Sequence, residues 1–284
     1  MTSRLDGPGT GPNNSDMRPS PLRATVLPLL LSALLGPAGC ASLTPADRHQ
    51  RYQLAELYQA ADAGNPTAQL RLGQAYGQGA YGLTRDYARS LHWLRASARN
   101  GNGEAAEAFR EWTNGNHAKD LVVAAMAAHV RGRYDRSIPL LRALSAAGVP
   151  EARYALGKAY LEGKGVPADT GRAVTWLRRA ADQGNDNARY LLGAIHAERS
   201  EYRDFARAAA LWQRCAADNH PLCQYSLGLL RLSGRGVEAD EARGRELIRH
   251  AAGQGNAAAR TWLARWNRLC RRHPATSGCA DDRQ

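Results

Sequence analysis

Residues 152–185 read ARYALGKAYLEGKGVPADTGRAVTWLRRAADQGN, and this stretch decides the fold. It returns, altered, at 188–220 (ARYLLGAIHAERSEYRDFARAAALWQRCAADNH) and at 224–256 (QYSLGLLRLSGRGVEADEARGRELIRHAAGQGN). Gly157, Gly193 and Gly228 recur at steps of 36 and 35, each behind a leucine: Leu156, Leu192, Leu227. Sixteen residues past each glycine comes a small residue (Ala173, Ala209, Gly244), and nineteen past it a large apolar one (Trp176, Trp212, Leu247). Alanine pairs follow at 180–181, 216–217 and 251–252. An earlier copy starts at Ala68, with Leu72-Gly73, Tyr76, Gly79, Trp93 and Gly101, and one residue inserted before Trp93. Self-similarity at this period marks a stacked-repeat architecture.

Each repeat reads as a helix pair. The first helix is expected from Ala152 to about Glu162 and the second from about Thr170 to Asp182. Gly163-Lys164-Gly165-Val166-Pro167 supplies the turn, because glycine permits positive φ and proline cannot continue a helix. Gly157 inside a helix costs roughly 1 kcal/mol against alanine, so its recurrence implies that the partner helix packs on a face without Cβ. Trp176 and Trp212 are expected to fill the gaps between neighbouring pairs. A single pair cannot bury its apolar face alone; a stack can.

These residues resemble the Sel-1-like repeat (SLR) family, a relative of the tetratricopeptide repeat. The family pattern is A-x-x-x-L-G-x-x-Y, G-x-G-V-x-x-D, A-x-x-W, A-A-x-x-G. The unit at 152 meets it through Ala152, Leu156, Gly157, Tyr160, Gly163, Gly165, Val166, Asp169, Ala173, Trp176, Ala180, Ala181 and Gly184. The unit at Gly228 keeps Gly234, Gly236, Val237 and Asp240 but has Arg231 for Tyr and Leu247 for Trp. The unit at Gly193 lacks the paired turn glycines and carries Arg199 and Glu201 instead. The resemblance implies an all-α, right-handed α/α solenoid with a concave groove. The expected array spans 49–258, with clear repeats at 67–101, 152–187, 188–222 and 223–258.

The middle departs from the pattern. Residues 119–148 read as a divergent helix pair with a tight turn at 132–134. Residues 103–113 read as a first helix broken by Thr113-Asn114-Gly115-Asn116, leaving an orphan helix and an irregular loop over 103–118. At the start, Thr44-Pro45-Ala46-Asp47 is a helix N-terminus, with threonine as cap and proline in the first turn; that helix is expected to run to about Ala63. At the end, 259–284 forms a cap, with a terminal helix over Ala257–Leu269 whose Trp262 and Trp266 share a face that reads mostly as core.

Residues 1–39 read as an upstream extension and a signal peptide. Residues 24–35 (ATVLPLLLSALL) are an uncharged apolar run, too short for a membrane span of roughly 20 residues, preceded by Arg18 and Arg23. A basic region, a short apolar core and small residues before Cys40 make a secretory signal, most compact if it starts at Met17. Pro37-Ala38-Gly39-Cys40 resembles a bacterial lipoprotein box, although Pro37 stands where that family usually has leucine. The resemblance implies lipid on Cys40, a short tether over 40–48 and, with Ala41 next, an outer-membrane lipoprotein facing the periplasm. Ordinary signal cleavage near Ala41 is the alternative.

The other cysteines fall into pairs. Cys215 and Cys223 lie at the end of one second helix and the start of the next first helix, where a short turn brings the Cβ atoms within bonding reach. Cys270 and Cys279 repeat the arrangement, as in cysteine-rich SLR proteins, and an exported chain meets an oxidising compartment. Metal binding is the competing reading, but neither pair has Cys-x-x-Cys spacing.

Leucine and alanine dominate the apolar content, with only two phenylalanines. The formal net charge is +12. All but three of the basic residues (Lys119, Lys158, Lys164) are arginine, spread along the chain without a block, so solvated helix faces explain them as well as a steering field does. No Ser-x-x-Lys, Gly-x-Ser-x-Gly, His-Glu-x-x-His or phosphate loop occurs. His196 and His220 read as surface or groove residues, Asp169 and Asp240 as helix N-caps. Function is therefore expected from a surface. Arg153 and Arg189, four residues before the helix glycines, and Lys158, one residue after Gly157, are the candidate groove residues for acidic peptides or a polyanionic polysaccharide. No cofactor, metal, catalytic residue or nucleic acid is expected. The leading reading is an envelope-anchored adaptor for protein partners. The alternatives implied by resemblance are a subunit of an exopolysaccharide export assembly and a β-lactam-binding or weak β-lactamase SLR protein.

Overall fold

The structure is a computed structural model that describes residues 44–273 and Cys279. The signal peptide, Met17 and Cys40 lie outside the described residues. Thirteen helices follow one another without a strand among the described residues. A capping helix α1 (Pro45–Asp62) opens the stack, and α2 (Pro66–Gln78) and α3 (Tyr87–Arg99) form the first hairpin. Then come α4 (Gly103–Thr113), α5 (Gly115–Val130) and α6 (Tyr134–Ala147). Three regular hairpins follow: α7 (Pro150–Glu162) with α8 (Thr170–Asp182), α9 (Asp186–Glu198) with α10 (Phe205–Ala217), and α11 (Pro221–Ser233) with α12 (Glu241–Gly253). The last helix is α13 (Ala257–Arg272). The fold is an all-α solenoid of packed helix pairs.

Within each hairpin the glycine expected to admit a partner does so. A Cβ on Gly157 would stand 2.8 Å from Leu177 Cγ, too close for any real side chain. Leu94 closes on Gly73 and Ile248 on Gly228 in the same way, whereas at Gly193 the Nε1 side of the Trp212 indole takes that place. Trp212 is buried and donates from Nε1 to the Tyr190 carbonyl at 3.1 Å. Trp176 is only half-buried, packing beside Ile138 and Tyr160 with the Arg179 guanidinium over its ring.

One hydrogen bond closes all four hairpins. The aspartate that caps the second helix donates its backbone N–H to the carbonyl three residues past the helix glycine: Asp86 to Tyr76, Asp169 to Tyr160, Asp204 to His196 and Asp240 to Arg231, at 2.8–3.0 Å. Its carboxylate then accepts from the N3 amide, as in Asp169 with Arg172 N and Asp240 with Arg243 N. Asp86 and Asp204 hold the same place, although only Asp169 and Asp240 stood out in the sequence.

Several expectations need correction. No irregular loop separates α4 from α5: Asn114 alone, with extended φ and ψ, is C-cap of one and N-cap of the other. The residues that read as a loop start α5 four residues earlier than expected. Trp112, between the rings of Tyr87 and His117, packs across the bend. Pro150 at N1 starts α7 before Ala152, and α13 continues to Arg272. At the other end, the capping box of Thr44 and Asp47 forms as the residues suggest. There burial, helped by a hydrogen bond between the Tyr58 and Tyr76 hydroxyls, pushes the Tyr58 phenol upward from its ordinary pKa.

Candidate functional site

The arginines expected in the groove turn out to be joints of the stack. Arg153 Nε donates to the Ser145 carbonyl at 3.2 Å, and its Nη1 to Gln183 Oε1 at 2.6 Å. Arg189 Nη1 bridges Asp186 at 2.7 Å and Asp218 at 2.9 Å, with the side chain only 16% exposed. The same position in other first helices holds Gln69, Gln224 and, in α13, Arg260. Gln69 donates to the Ala61 carbonyl, Gln224 to that of Ala216 and Arg260 to that of Ala252. Gln69 and Gln224 also accept from Asn100 and Gln254, about one repeat ahead. Except at Arg189, a long donor thus adds a second bond to a last-turn carbonyl of the preceding helix, which already accepts from the amide three residues on; Arg153, Arg189, Gln69 and Gln224 also reach the C-cap of the next second helix. Lys158 stays exposed beside Glu162 at 3.7 Å. The three candidates do not form a free basic strip.

The histidines are also placed differently. His196 is buried, with Nδ1 at 2.9 Å from the Tyr202 carbonyl, so it is neither a surface nor a groove residue. His220 caps α11: the Cys223 amide donates to its Nδ1 at 3.4 Å, and its Nε2 lies 3.2 Å from Asn187 Oδ1. Burial lowers the His220 pKa, opposed by Asp186.

What three of the four first helices share is a tyrosine, where α2 has the buried Leu70. Tyr154, Tyr190 and Tyr225 each stand three residues before the helix glycine, and each is half-buried. Tyr154 packs on the cluster of Leu177 and Leu192, Tyr190 on that of Trp212 and Leu227, and Tyr225 on that of Ile248 and Ala259. Burial raises the Tyr190 pKa, helped by the charges of Glu198 and Tyr154. The His220 ring lies 6.0 Å from the Tyr190 ring. Each ring is therefore held by the core while part of it meets solvent. The steps of 36 and 35 that located the glycines also locate these tyrosines. At the other end, an open cleft of about 480 Å³ lies between α1 and α2, lined by Glu56, Leu57, Arg71 and Tyr81 among others.

Cys215 and Cys223 are joined across the α10–α11 turn, with Cα atoms 5.9 Å apart and both side chains buried. Cys270 and Cys279 are joined at a Cα separation of 5.3 Å. Among the described residues no group of three or more His, Cys, Asp or Glu side chains could hold a metal. No helix among them is long and apolar enough to cross a membrane.

A profile of the Sel1 repeat matches residues 66–102, 150–185 and 221–256, three of the four regular hairpins. The unmatched one is α9–α10, which lacks the turn glycines. Among solved structures, the chain is similar to a protective antigen of uropathogenic Escherichia coli displaying an SLR fold. The two are 26% identical over 78% of this chain and 44% of that one, with a TM-score of 0.45. This chain thus spans less than half the length of that relative. It is also similar to a Sel1 repeat protein from Oxalobacter formigenes, at 29% identity over 75% of this chain and 69% of that one, with a TM-score of 0.43. Among curated proteins, none matches this chain. Sel1 repeats typically mediate protein–protein interaction. The chain thus carries three hairpins that match the Sel1 repeat, set in a longer helical stack.

Proposed function

We propose that the chain is an envelope-anchored, non-catalytic scaffold that holds protein partners along the first-helix side of its stack. The observation that carries this is the row of half-buried tyrosines, Tyr154, Tyr190 and Tyr225, at one repeat position. Tyrosine combines a large apolar ring with a hydrogen-bonding tip at little entropic cost, which is why it is enriched at protein interfaces. Here the rings are fixed from behind by the core, and the helices bearing them are locked by the Arg153 and Arg189 joints. A surface that needs no ordering before it binds wastes little of its interaction energy. Attachment to the envelope rests on the signal and the lipoprotein box at Cys40, and the paired cysteines agree with an oxidising compartment.

A photo-crosslinking residue in place of Tyr190, activated in intact cells, tests the docking side. The expected result is a discrete protein adduct that the same residue at exposed Arg142 on α6 does not give. Equal adducts at both places, or none, would refute the tyrosine row. Radiolabelled palmitate should enter the wild type and not the Cys40→Ser variant; unlabelled wild type refutes the anchor. Stable labelling by a fluorescent penicillin would overturn the non-catalytic reading.

A further inference from the structure

We propose that the outer face of α13 docks on an anionic phospholipid surface. The helix reads AAARTWLARWNRLCRR: five arginines and no acidic residue, so 16 residues carry +5 of the chain's net +12. In the linear sequence these arginines look dispersed. At 3.6 residues per turn, Arg260, Arg265, Arg268, Arg271 and Arg272 fall within an arc of roughly 140°, along about 18 Å of helix. Trp262, Leu263 and Trp266 fall on the other side. Trp262 and Leu263 pack on Ile248, Ala251 and Ala252 of α12. The two indoles stack at 5.7 Å, with the Arg245 guanidinium over Trp266. That packing fixes the rotation of α13 and turns the arginine arc outward, where all five are exposed.

Several arginines elsewhere in the stack are paired locally. Arg89, Arg172 and Arg207 lie beside the aspartates that cap their own helices, Arg243 beside Glu246, and Arg189 between two aspartates. Among the described residues no carboxylate pairs with Arg265, Arg268, Arg271 or Arg272. The only acidic residues after Glu246 are Asp281 and Asp282, which lie outside the described residues. A terminal repeat needs a polar outer face, but mixed charges would serve that end; a single sign creates an attractive field.

The geometry favours a broad counter-surface. No further helix follows α13 among the described residues, and its arginines form a convex ridge, not a channel that would enclose a polymer. A plane of lipid phosphates can meet four of them at once. Trp262 and Leu263 are already committed to α12, which leaves Leu269 exposed among the large apolar side chains of α13, so binding is chiefly electrostatic. The inference does not depend on lipidation at Cys40.

The test is partition of the full chain onto vesicles of equal parts phosphatidylglycerol and phosphatidylcholine, compared with phosphatidylcholine alone. Each arginine near an anionic leaflet strengthens binding about fivefold, and the effect falls with salt. The variant R265Q/R268Q/R271Q/R272Q changes only exposed side chains, and circular dichroism checks its fold. Its affinity for the anionic vesicles should fall at least about tenfold. A control, R131Q/R133Q/R136Q/R142Q, removes the same charge from exposed positions elsewhere and should bind as the wild type does. The inference is overturned if the α13 variant binds unchanged, or if the control loses as much. It is also overturned if the α13 arginines matter only for duplex DNA or an anionic polysaccharide offered in place of vesicles.

Discussion

The hairpins α7–α8 and α9–α10 stand side by side and differ in almost every feature outside their packing positions. The first has two turn glycines, Gly163 and Gly165, in left-handed conformation. The second has a short 3-10 turn at Ser200–Tyr202 and no glycine there. Yet both close with the same aspartate-to-carbonyl hydrogen bond, and both lay an apolar side chain over a helix glycine. Leu177 does so in one and the larger Trp212 in the other. The second is also stapled to the next hairpin by Cys215–Cys223, which the first lacks. Backbone shape is thus set by the glycine contact and the cap, while turn chemistry can be exchanged.

The sharpest way to break this comparison is to empty the glycine contact. Trp212→Ala removes a buried indole and its hydrogen bond to Tyr190, and should destabilise by about 3–5 kcal/mol. Leu177→Ala should cost about 2–5 kcal/mol. Urea unfolding followed by hydrogen exchange checks both, because stacked repeats open locally and one midpoint need not describe the whole chain. If α9–α10 tolerated the loss of its tryptophan better than α7–α8 tolerated the loss of its leucine, the glycine contact would not be what shapes both. The staple comes next. Cys215→Ser with Cys223→Ser should cost about 2–3 kcal/mol, since it frees a short loop in the unfolded chain, with the loss of protection centred on α10 and α11.

The same comparison shows what was legible in the sequence. The regular hairpins were, because a mid-helix glycine at a fixed step has few explanations other than close helix packing. The α4–α5 bend was not: Thr113-Asn114-Gly115-Asn116 has the composition of a loop, and a single extended residue proved sufficient to redirect the chain. At the candidate site, Arg153 and Arg189 were read by charge. Gln69 and Gln224 at the matching position show that the place requires a long donor, not a cation. Arg153, Gln69 and Gln224 each have an acceptor eight residues back, and all four residues have a partner about thirty residues ahead, which no local pattern reveals. The arginines of α13 looked scattered because linear spacing conceals an arc that helical period assembles.

The joints predict a smaller effect that sharpens the contrast. Arg189→Met keeps the stem but removes two charge-assisted hydrogen bonds, and should cost about 1.5–3 kcal/mol. Arg153→Met removes bonds to a carbonyl and an amide and should cost about 0.5–1.5 kcal/mol. Arg153→Gln should recover part of that loss, given the glutamines elsewhere at this position; equal losses for Gln and Met would mean that charge, not donor reach, is what the position needs.

The smallest expected effect concerns the His220 cap, which exists only between α10 and α11. Its Nδ1 must be unprotonated to accept from Cys223, and burial lowers its pKa below the ordinary 6.5. A folded pKa below the unfolded one means that the unfolded chain takes up the proton first. The cap's contribution is therefore whole above about pH 6.5 and is lost as the pH falls through the lowered folded value. His92 and His129, also lowered chiefly by burial, add to the same acid slope. Asparagine, which caps α2, α9 and α13 at this position, carries no such proton. His220→Asn should match the wild type at pH 7.5 and exceed it by about 0.5–1 kcal/mol at pH 5.5, the worth of one cap. Parallel melting curves for the two proteins across that interval would show that the imidazole does not act as the cap, and that the turn is held by the disulfide alone.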